Sequence, residues 1–301
     1  MKLAITGGTG FVGGRLIELA LAAGLEVTAL TRRPRMDRPG LAWIDGALAD
    51  RDAIHKLVRE ATAVIHVAGV ISAPDAAGFQ AGNVDGTLSI LAAATAAGVR
   101  RFVHVSSLAA REPNLSLYGA SKAKAEELVC HSGLDWAIVR PPAVYGPGDR
   151  ETLELFKAAK LGFVPLPPAG RLSLIHVDDL CRLLLALARL DAPARLVLEP
   201  DDGRHAGYTH KEFAQLLAAA QDRRALSVSV PAPVMRLGAR LDRLLRRDRA
   251  KLTPDRAAYF CHPDWVVDPA RRPPADLWQA QVPTEKGLAE TADWYCREAW
   301  L

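Results

Sequence analysis

A tyrosine and a lysine four positions apart, Tyr118 and Lys122, form the residue pair whose chemistry is easiest to predict from this sequence. At that spacing both side chains lie on one face of a helix. A nearby ammonium group favours the phenolate, so we expect Lys122 to lower the pKa of Tyr118 from about 10 towards working pH. A tyrosine tuned in this way serves as a general acid and base. Two serines, Ser106 and Ser107, end a strand-like segment just upstream, at the edge where ligands of parallel sheets bind.

A glycine-rich stretch near the start of the chain, from Thr6 to Gly13, reads Thr-Gly-Gly-Thr-Gly-Phe-Val-Gly. It follows a strand-like run and opens a helix-like one, which is the context that a dinucleotide-binding fingerprint requires. Glycines permit the sharp turn and the close approach of the backbone to a pyrophosphate. The N–H groups at the helix start then face the negative charge. The predicted contacts to the dinucleotide are Gly7, Thr9, Gly10, Phe11, Val12 and Gly13.

The residues after the second strand-like run indicate which dinucleotide binds. NAD sites usually carry an acidic residue there for the ribose hydroxyls, whereas an arginine accommodates the 2′-phosphate of NADP. This chain has Thr31 at the acid position, followed by Arg32 and Arg33. Guanidinium groups pair with phosphate through charge-assisted hydrogen bonds, so we predict NADP(H) in preference to NAD(H), held by Arg32. Arg33 is a second candidate, although a solvated loop cation explains it better on its own.

Strand-like and helix-like segments alternate through the first two thirds of the chain and must position these residues. The strand candidates are short and rich in Val, Ile and Leu, as strands buried on both faces should be. They are residues 2–6, 26–31, 41–45, 63–67, 101–105 and 135–140. The helix-length stretches between them are residues 11–23, 51–61, 83–97 and 116–131. Strict alternation predicts an α/β fold, a Rossmann-type doubly wound parallel sheet with right-handed crossovers.

The pattern of the sequence changes after Arg140, where proline clusters appear and strand-like and helix-like segments no longer alternate. We expect a smaller, mostly helical C-terminal substrate domain that is interleaved with the first domain. The expected dinucleotide-binding domain comprises residues 1–140 and about 171–200, and the substrate domain comprises residues 141–170 and 201–301. Strands at 173–176 and 195–198 are expected to belong to the main sheet.

Bulk properties narrow the class of protein. Half of the 301 residues are hydrophobic and 24% are charged, which is ordinary for a soluble globular protein. The net charge of +4 predicts no nucleic-acid partner. The four cysteines form no CxxC pair and a strand-like run follows Met1 directly, so we expect reduced thiols in the cytoplasm. No spacing of His, Cys and Asp predicts a metal site.

A basic amphipathic stretch at residues 234–252 combines an apolar stripe with a series of arginines. The apolar stripe is Leu237, Leu241, Leu244 and Leu245, and the arginines are Arg236, Arg240, Arg243, Arg246, Arg247 and Arg249. Such a helix could touch an anionic membrane or accept an acidic substrate. Helices of this kind more often pack their leucines inward and solvate their arginines, so we expect packing and no membrane partner. The longest apolar run, 180–190, is too short and too charged to span a bilayer.

Together these motifs resemble the extended short-chain dehydrogenases/reductases, the NAD-dependent epimerase/dehydratase family, with its dihydroflavonol-reductase-like and 3β-hydroxysteroid-dehydrogenase-like members. The resemblance runs nearly end to end. Besides the glycine turn and the Tyr–Lys pair, it rests on residues 64–69, 83–87, 140–148 and 176–179.

The resemblance implies a role for each matching residue. Tyr118 would transfer the proton, and Lys122 would also hold the nicotinamide ribose. The serine that hydrogen-bonds the substrate oxygen would be Ser107, with Ser106 as the second choice. Asn83 would support a proton relay, and Arg32 would take the part of the 2′-phosphate arginine. Further cofactor contacts are implied at Leu48, Ala68, Gly69, Pro141 and Val144. The family also implies a homodimer through the helices that carry Asn83 and Tyr118.

Three departures from the family pattern bear on the ligands. Ala47 stands where an acid often contacts the adenine, and Tyr118 follows Ser107 by only 11 positions. Residues 142–143 are Pro-Ala, where sugar-nucleotide members often carry an asparagine. The last two departures favour a less polar substrate. We therefore predict an NADP(H)-dependent oxidoreductase that transfers hydride to or from a small carbonyl or alcohol. The alternatives are a nucleotide-sugar epimerase or dehydratase with retained NAD, and a non-catalytic dinucleotide-binding or assembly protein.

Overall fold

The structure is a computed structural model, and it describes residues 1–246 and 252–301. In chain order the strands are β1 (Lys2–Thr6), β2 (Glu26–Thr31), β3 (Leu41–Asp45), β4 (Ala63–His66), β5 (Arg101–Val105), β6 (Asp135–Val139), β7 (Ala143–Tyr145), β8 (Phe163–Leu166), β9 (Arg171–Leu172), β10 (Leu174–His176), β11 (Leu196–Leu198), β12 (Tyr208–Thr209), β13 (Leu226–Ser229) and β14 (Asp264–Trp265). The α-helices are α1 (Phe11–Ala22), α2 (Arg51–Val58), α3 (Ala76–Phe79), α4 (Gly86–Ala96), α5 (Leu117–Cys130), α6 (Leu153–Lys160), α7 (Val177–Leu187), α8 (His210–Ala219), α9 (Ala232–Arg246), α10 (Pro254–Phe260) and α11 (Thr284–Arg297). A π-helix (Gln80–Asp85) and two 3₁₀-helices (Leu108–Arg111 and Pro269–Arg271) complete the helical elements of the described residues.

Seven strands form one sheet in the order β11-β6-β5-β4-β1-β2-β3. Every neighbouring pair in this sheet is parallel. The chain runs outward from β1 through β2 and β3, and then returns to the other side of β1 with β4. Ligands of doubly wound sheets bind at such a switch point, beyond the carboxyl ends of the strands. The predicted Rossmann-type fold is confirmed, and the six strands predicted from residues 2–140 end within one residue of the observed bounds.

The core of this sheet explains its apolar sequence. Strands β4 and β5 are buried at every position, because helices cover both faces of the sheet. On one face Ile54 and Leu57 of α2 and Ile90 of α4 pack with Val64 and Phe102 of the two strands. Burying each such side chain stabilises the fold by about 1.5–3 kcal/mol. The polar residues that follow these strands are therefore attached to a rigid platform.

The chain forms two compact units. The first comprises Met1–Pro141, Leu180–Glu199 and Pro273–Gln279, and the second comprises Pro142–Asp179, Pro200–Arg272 and Ala280–Leu301. The second unit has an apolar core of its own. This core includes Tyr145, Phe156, Leu174, Phe213, Leu217, Leu288 and Tyr295.

The strand expected at residues 173–176 is present as β10, but the expectation that it joins the main sheet is wrong. It pairs in parallel with β7 in a separate two-stranded sheet of the second unit. The strand expected at 195–198 does join the main sheet, as β11 beside β6. A buried apolar run of three residues fits the interior of either sheet, so its local sequence does not specify its partner.

Helix α9 has the predicted amphipathic sequence, but the expectation that its leucines pack inward is wrong. Its packing face consists of Ala239, which is buried, with Ala232 and Met235 partly buried beside it. The leucines that remain at least half exposed are Leu237, Leu241, Leu244 and Leu245. Arg247 and Arg249 lie outside the described residues.

No group of three His, Cys, Asp or Glu side chains in residues 1–246 and 252–301 is placed to hold a metal ion. Within the same ranges, none of the helices combines the length and the apolar character needed to cross a membrane.

Candidate active site

Ser107 and Tyr118 meet at the carboxyl end of β5. Ser107 is extended and caps the following 3₁₀-helix, accepting a hydrogen bond from the Ala109 N–H at 3.2 Å. Tyr118 lies in the first turn of α5, whose start is fixed by Ser116. The Ser116 hydroxyl accepts a hydrogen bond from the Gly119 N–H at 2.9 Å, as expected for an N-cap. The side chains of Ser107 and Tyr118 then share a hydrogen bond, so two predicted catalytic residues are in direct contact.

The pKa of Tyr118 is shifted in the direction opposite to our expectation. Burial raises the pKa of the phenol, and the hydrogen bond with Ser107 only partly opposes this. The lowering expected from Lys122 is absent, because the Lys122 Nζ instead donates to the Val105 carbonyl oxygen at 2.8 Å. Burial also lowers the pKa of Lys122 to about 8, against the opposing charge of Glu126. At neutral pH Tyr118 is therefore a protonated phenol, the form that donates a proton to a developing alkoxide.

Asn83 holds the loop after β4 against α5. Its Oδ1 accepts from the Val70 N–H at 2.7 Å, and its Nδ2 donates to the Val70 carbonyl at 3.0 Å. The same Nδ2 donates to the Ser121 Oγ at 2.9 Å, and Ser121 donates to the Tyr118 carbonyl at 2.8 Å. The π-helix that carries Asn83 is a local distortion of the kind often found at functional sites. Through these bonds Asn83 couples the loop to the helix of Tyr118.

Gly69 lies at the point where this loop meets Lys122. A Cβ at Gly69 would be 3.1 Å from the Asn83 Oδ1 and 3.5 Å from the Lys122 Nζ. The preceding Ala68 donates its N–H to the Thr6 Oγ1 at 3.2 Å, which ties the loop to the end of β1. The structure therefore brings Asn83, Gly69 and Lys122 together, all at the carboxyl edge of the sheet.

The glycine turn fits a pyrophosphate. Gly7 has a φ of +74°, and a Cβ there would be 2.7 Å from the Ala68 nitrogen. A Cβ at Gly13 would be 2.1 Å from the Gly7 carbonyl oxygen, so α1 starts in direct contact with the turn. Gly10 caps α1 without a side-chain hydrogen bond, and the first turn carries no acidic residue. The first N–H groups of the helix, at Phe11, Val12 and Gly13, lack intrahelical acceptors and face outward with the positive end of the helix dipole.

The end of β2 presents two arginines. Thr31 is buried, and its hydroxyl donates to the Arg33 carbonyl at 2.6 Å and accepts from the Arg33 N–H at 3.2 Å. This tight turn leaves the side chains of Arg32 and Arg33 exposed. Parallel pairing of β1 with β2 places the turn on the same edge as the glycine turn.

Sequence reasoning missed an aromatic residue at this edge. Trp43 of β3 is paired with Ala29 of β2, and a Cβ at Gly8 would be 3.4 Å from the Trp43 ring. The Arg35 guanidinium lies over the same ring, 5.3 Å from its centroid, in a cation–π contact. The sequence could have indicated this residue, because it places an aromatic side chain in the third predicted strand, which is expected to pair with the second.

Three further predicted contact residues have neighbours of their own. Leu48 packs against α4, since a Cβ at Gly86 would be 2.7 Å from the Leu48 Cδ1. Pro141 accepts a hydrogen bond from the Leu108 N–H at 3.1 Å, directly after Ser107. Val144 lies on β7, in the second compact unit.

A buried ionic network borders the Ser–Tyr–Lys cluster, and sequence reasoning missed it as well. The Arg140 guanidinium binds both oxygens of Glu126, at 2.9 and 2.6 Å, and reaches Glu199 at 3.4 Å. Arg111 binds the other oxygen of Glu199 at 3.3 Å, and Ser106 donates to Glu126. Burial would lower the pKa of Arg140, but the hydrogen bonds and charges of the two glutamates outweigh it and raise the pKa. The sequence did offer one indication of this network, because Glu126 lies one helical turn after Lys122 and therefore on the same face of the helix.

Two buried histidines lie on the neighbouring strands β4 and β5. The rings of His66 on β4 and His104 on β5 stack with centroids 5.4 Å apart. His66 is hydrogen-bonded to Thr6 at 2.7 Å and to Thr87 at 3.1 Å, whereas neither ring nitrogen of His104 has a partner in the described part of the chain. Burial, with a contribution from the Lys122 charge, lowers the pKa of His66 to about 3 and that of His104 well below its usual range. Both imidazoles are therefore neutral at physiological pH.

The fold and the site together define a dinucleotide-binding α/β protein with a Ser–Tyr–Lys constellation. The model of the NAD dependent epimerase/dehydratase family matches residues 3–197. The chain belongs to this family, and the predicted resemblance is confirmed.

Similar proteins include two named reductases. A "ceramide reductase" of Caulobacter vibrioides is 36% identical over 99% of this chain and 96% of its own. A "2-alkyl-3-oxoalkanoate reductase" of Stenotrophomonas maltophilia is 31% identical over 96% of this chain and 97% of its own. Among solved structures, MoeE5 in complex with UDP-glucose and NAD is similar with a TM-score of 0.75 and 23% identity, over 99% of each chain. The structural likeness shows the fold, and the family with its reductases supports an NAD(P)-dependent oxidoreductase.

Proposed function

We propose that this protein is an NADP(H)-dependent ketoreductase in which Tyr118 is the general acid. The observation that carries the proposal is the hydrogen bond between the Ser107 and Tyr118 side chains, formed at the ligand-binding edge of the sheet. The first compact unit would hold the dinucleotide, and the second is proposed as the substrate-binding domain.

The chain's own residues handle the substrate oxygen and its proton. NADPH, when bound, supplies the hydride that reduces the carbonyl carbon. Ser107 and Tyr118 then hydrogen-bond the carbonyl oxygen, and Tyr118 donates its proton as negative charge develops there. The raised pKa of the buried phenol keeps this proton in place until the oxygen becomes basic. We assign Lys122 to the nicotinamide ribose and Asn83 to positioning, since its amide already binds Val70 and Ser121.

Neighbouring serines offer a matched test of this mechanism. Tyr118→Phe should lower kcat by at least about 100-fold, the lower range for loss of a general acid, without loss of NADPH binding. Ser107→Ala should lower kcat as well. Ser106→Ala should have a much smaller effect, because Ser106 bonds Glu126 and not the tyrosine. Full turnover by Tyr118→Phe on an identified ketone would overturn the mechanism.

The preference for NADP(H) is supported by the end of β2. Thr31 stands where a carboxylate would repel the 2′-phosphate, and its hydroxyl shapes the turn that exposes Arg32. Titration with NADPH and NADH should show tighter binding of NADPH by the wild type. Arg32→Ala should weaken NADPH binding by roughly 10- to 100-fold, the value of a charge-assisted hydrogen bond, and leave NADH binding unchanged. Arg51→Ala, an exposed arginine on α2, is the control. Equal affinities of the wild type for both dinucleotides would contradict the assignment.

The substrate class follows from the named reductases and from the departures in sequence. The two relatives are named for ceramide and for a 2-alkyl-3-oxoalkanoate. Residues 142–143 (Pro-Ala) and the short segment between Ser107 and Tyr118 also disfavour a sugar nucleotide. We therefore propose a ketone carried by a hydrocarbon chain. Following NADPH oxidation with 3-oxo esters of increasing chain length should show kcat/KM rising with length. A value independent of chain length would contradict this substrate class.

A further inference from the structure

Helix α9 carries an apolar stripe that nothing in the described residues covers. At about 100° per residue, its large apolar side chains fall within a sector about 100° wide. These side chains and their exposed fractions are Val234 (57%), Leu237 (57%), Leu241 (50%), Leu244 (75%) and Leu245 (80%). Single exposed leucines are normal on protein surfaces, but an aligned row of large apolar side chains marks an interaction surface.

A row of arginines lies along one edge of this stripe. Arg236, Arg240 and Arg243 occupy a sector of about 60°, between the apolar stripe and the packing face of α9. The helix carries one acidic residue, Asp242, whose carboxylate lies 3.3 Å from the Arg246 guanidinium. Helices that lie in the plane of a membrane surface have this arrangement, with leucines among the acyl chains and arginines at the level of the phosphates.

The two-stranded ribbon that leads into α9 is apolar on its exposed face. Strand β13 pairs in parallel with β8, and the register places Leu226 opposite Phe163. Leu226 and Val228 are 68% and 43% exposed, and Phe163 is 49% exposed. Strand β13 ends at Ser229 and α9 begins at Ala232, so the ribbon directly precedes the helix along the chain.

We propose that α9, together with this ribbon, binds the surface of an anionic lipid bilayer. Charge complementarity favours this occupant, because anionic headgroups match the arginine row while the acyl chains accept the leucines. In a symmetric contact, a second copy of the chain would bring the same described face of α9, so that arginines would meet arginines. The proposal goes beyond the proposed reductase activity, since it requires neither cofactor nor ketone.

Co-sedimentation of the full chain with lipid vesicles tests the proposal. One vesicle population contains phosphatidylcholine alone, and the other contains equal parts of phosphatidylcholine and phosphatidylglycerol. We expect binding to the anionic vesicles that weakens as salt is added. Leu237→Ser with Leu241→Ser and Leu244→Ser should reduce the partition coefficient on the order of 100-fold. Arg236→Gln with Arg240→Gln and Arg243→Gln should reduce it roughly fivefold per arginine, on anionic vesicles only.

Matched control variants distinguish a specific role of the α9 surface in vesicle binding from a general effect of removing exposed leucines or arginines. Leu88→Ser with Leu190→Ser removes leucines that are 53% and 67% exposed elsewhere, and should leave vesicle binding unchanged. Arg51→Gln with Arg59→Gln removes two positive charges from the region of α2 and should have little effect. A circular dichroism spectrum and a Tm equal to those of the wild type verify that each variant is folded.

Three outcomes would overturn the proposal. The first is absence of wild-type binding to anionic vesicles, and the second is unchanged binding by the leucine variant. The third is a solution dimer that the leucine variant converts to a monomer, by light scattering, without wild-type binding to vesicles. That result would assign the stripe to a second copy of the chain. Because the vesicles contain no ketone and no dinucleotide is added, these outcomes are independent of the proposed catalytic function.

Discussion

Lys122 places an ammonium group inside the protein, and we expect this charge to lower the stability of the cofactor-free fold. Its side chain is 5% exposed and donates to the Val105 carbonyl oxygen. Burial lowers its pKa from 10.5 to about 8, although the charge of Glu126 opposes the change. Lys122→Met removes the charge and keeps most of the apolar length of the side chain. We therefore expect this substitution to stabilise the protein while it abolishes reductase turnover.

The magnitude follows from linkage between protonation and folding. Between pH 8 and 10.5 the unfolded lysine binds a proton that the folded one does not, so stability rises with pH in that window. The penalty is complete below about pH 8 and disappears as the pH passes 10.5. A shift of this size corresponds to about 3 kcal/mol. Loss of the hydrogen bond to Val105 costs about 1 kcal/mol, which leaves a net gain of about 2 kcal/mol. For a chain of this length the Tm should rise by about 3 °C.

Thermal unfolding of the cofactor-free protein, followed by circular dichroism at pH 7 and pH 10, measures this effect. The Tm of Lys122→Met should exceed that of the wild type at pH 7, and the difference should shrink at pH 10. Lys124→Met is the matched control, because Lys124 lies on the same helix but is exposed. It should show no difference at either pH. A lower Tm for Lys122→Met at pH 7 would refute the reasoning.

Two further predictions concern the glycine turn and the ionic network. Gly13→Ala places a Cβ 2.1 Å from the Gly7 carbonyl and should weaken NADPH binding at least about tenfold in a fluorescence titration, whereas Gly14→Ala, with its nearest atom at 3.7 Å, should bind normally. Arg140→Met leaves Glu126 buried without its main partner and should cost about 3–5 kcal/mol in urea unfolding. Adding Glu126→Leu should recover part of that loss, and strictly additive costs would contradict the network.

The main sheet could be predicted because its strands carry their own signal. A strand buried on both faces must be apolar throughout, and helix-length segments between such strands leave few topologies. Strand β10 and helix α9 carried equally clear local patterns, yet their partners were predicted wrongly. An apolar run of three residues or an amphipathic stripe has the same local structure whichever neighbour covers it. Contacts between distant parts of the chain determine which neighbour covers such an element. The spacing of residues along the sequence carries no information about these contacts.

In the candidate site, too, the features that depend on local sequence could be predicted, and those that depend on contacts between distant residues could not. The spacing of Tyr118 and Lys122, and the position of Ser107 after β5, were sufficient to predict that these residues lie at one edge. The direction of the Tyr118 pKa was not predictable, because it depends on how deeply the phenol is buried. The Lys122 contact with the Val105 carbonyl requires the packing of α5 against β5. Residues on different elements, such as Glu126 and Arg140, formed no pattern in the sequence.

Several unfavourable features of the first compact unit lie close to Ser107 and Tyr118, and this location supports a functional role for them. Around the ends of β4 and β5 lie a buried ammonium at Lys122 and a buried carboxylate at Glu126. The ring nitrogens of His104, which have no partner among the residues that the structure describes, lie there as well. An apolar arrangement of similar volume would be at least as stable as such a buried ionic network. These buried charges lower the stability of the fold, and they lie beside the hydrogen-bonded side chains of Ser107 and Tyr118. We therefore infer that the charges serve a bound ligand and not the stability of the protein. For this reason we expect the stabilising substitutions in this region to be the ones that abolish activity.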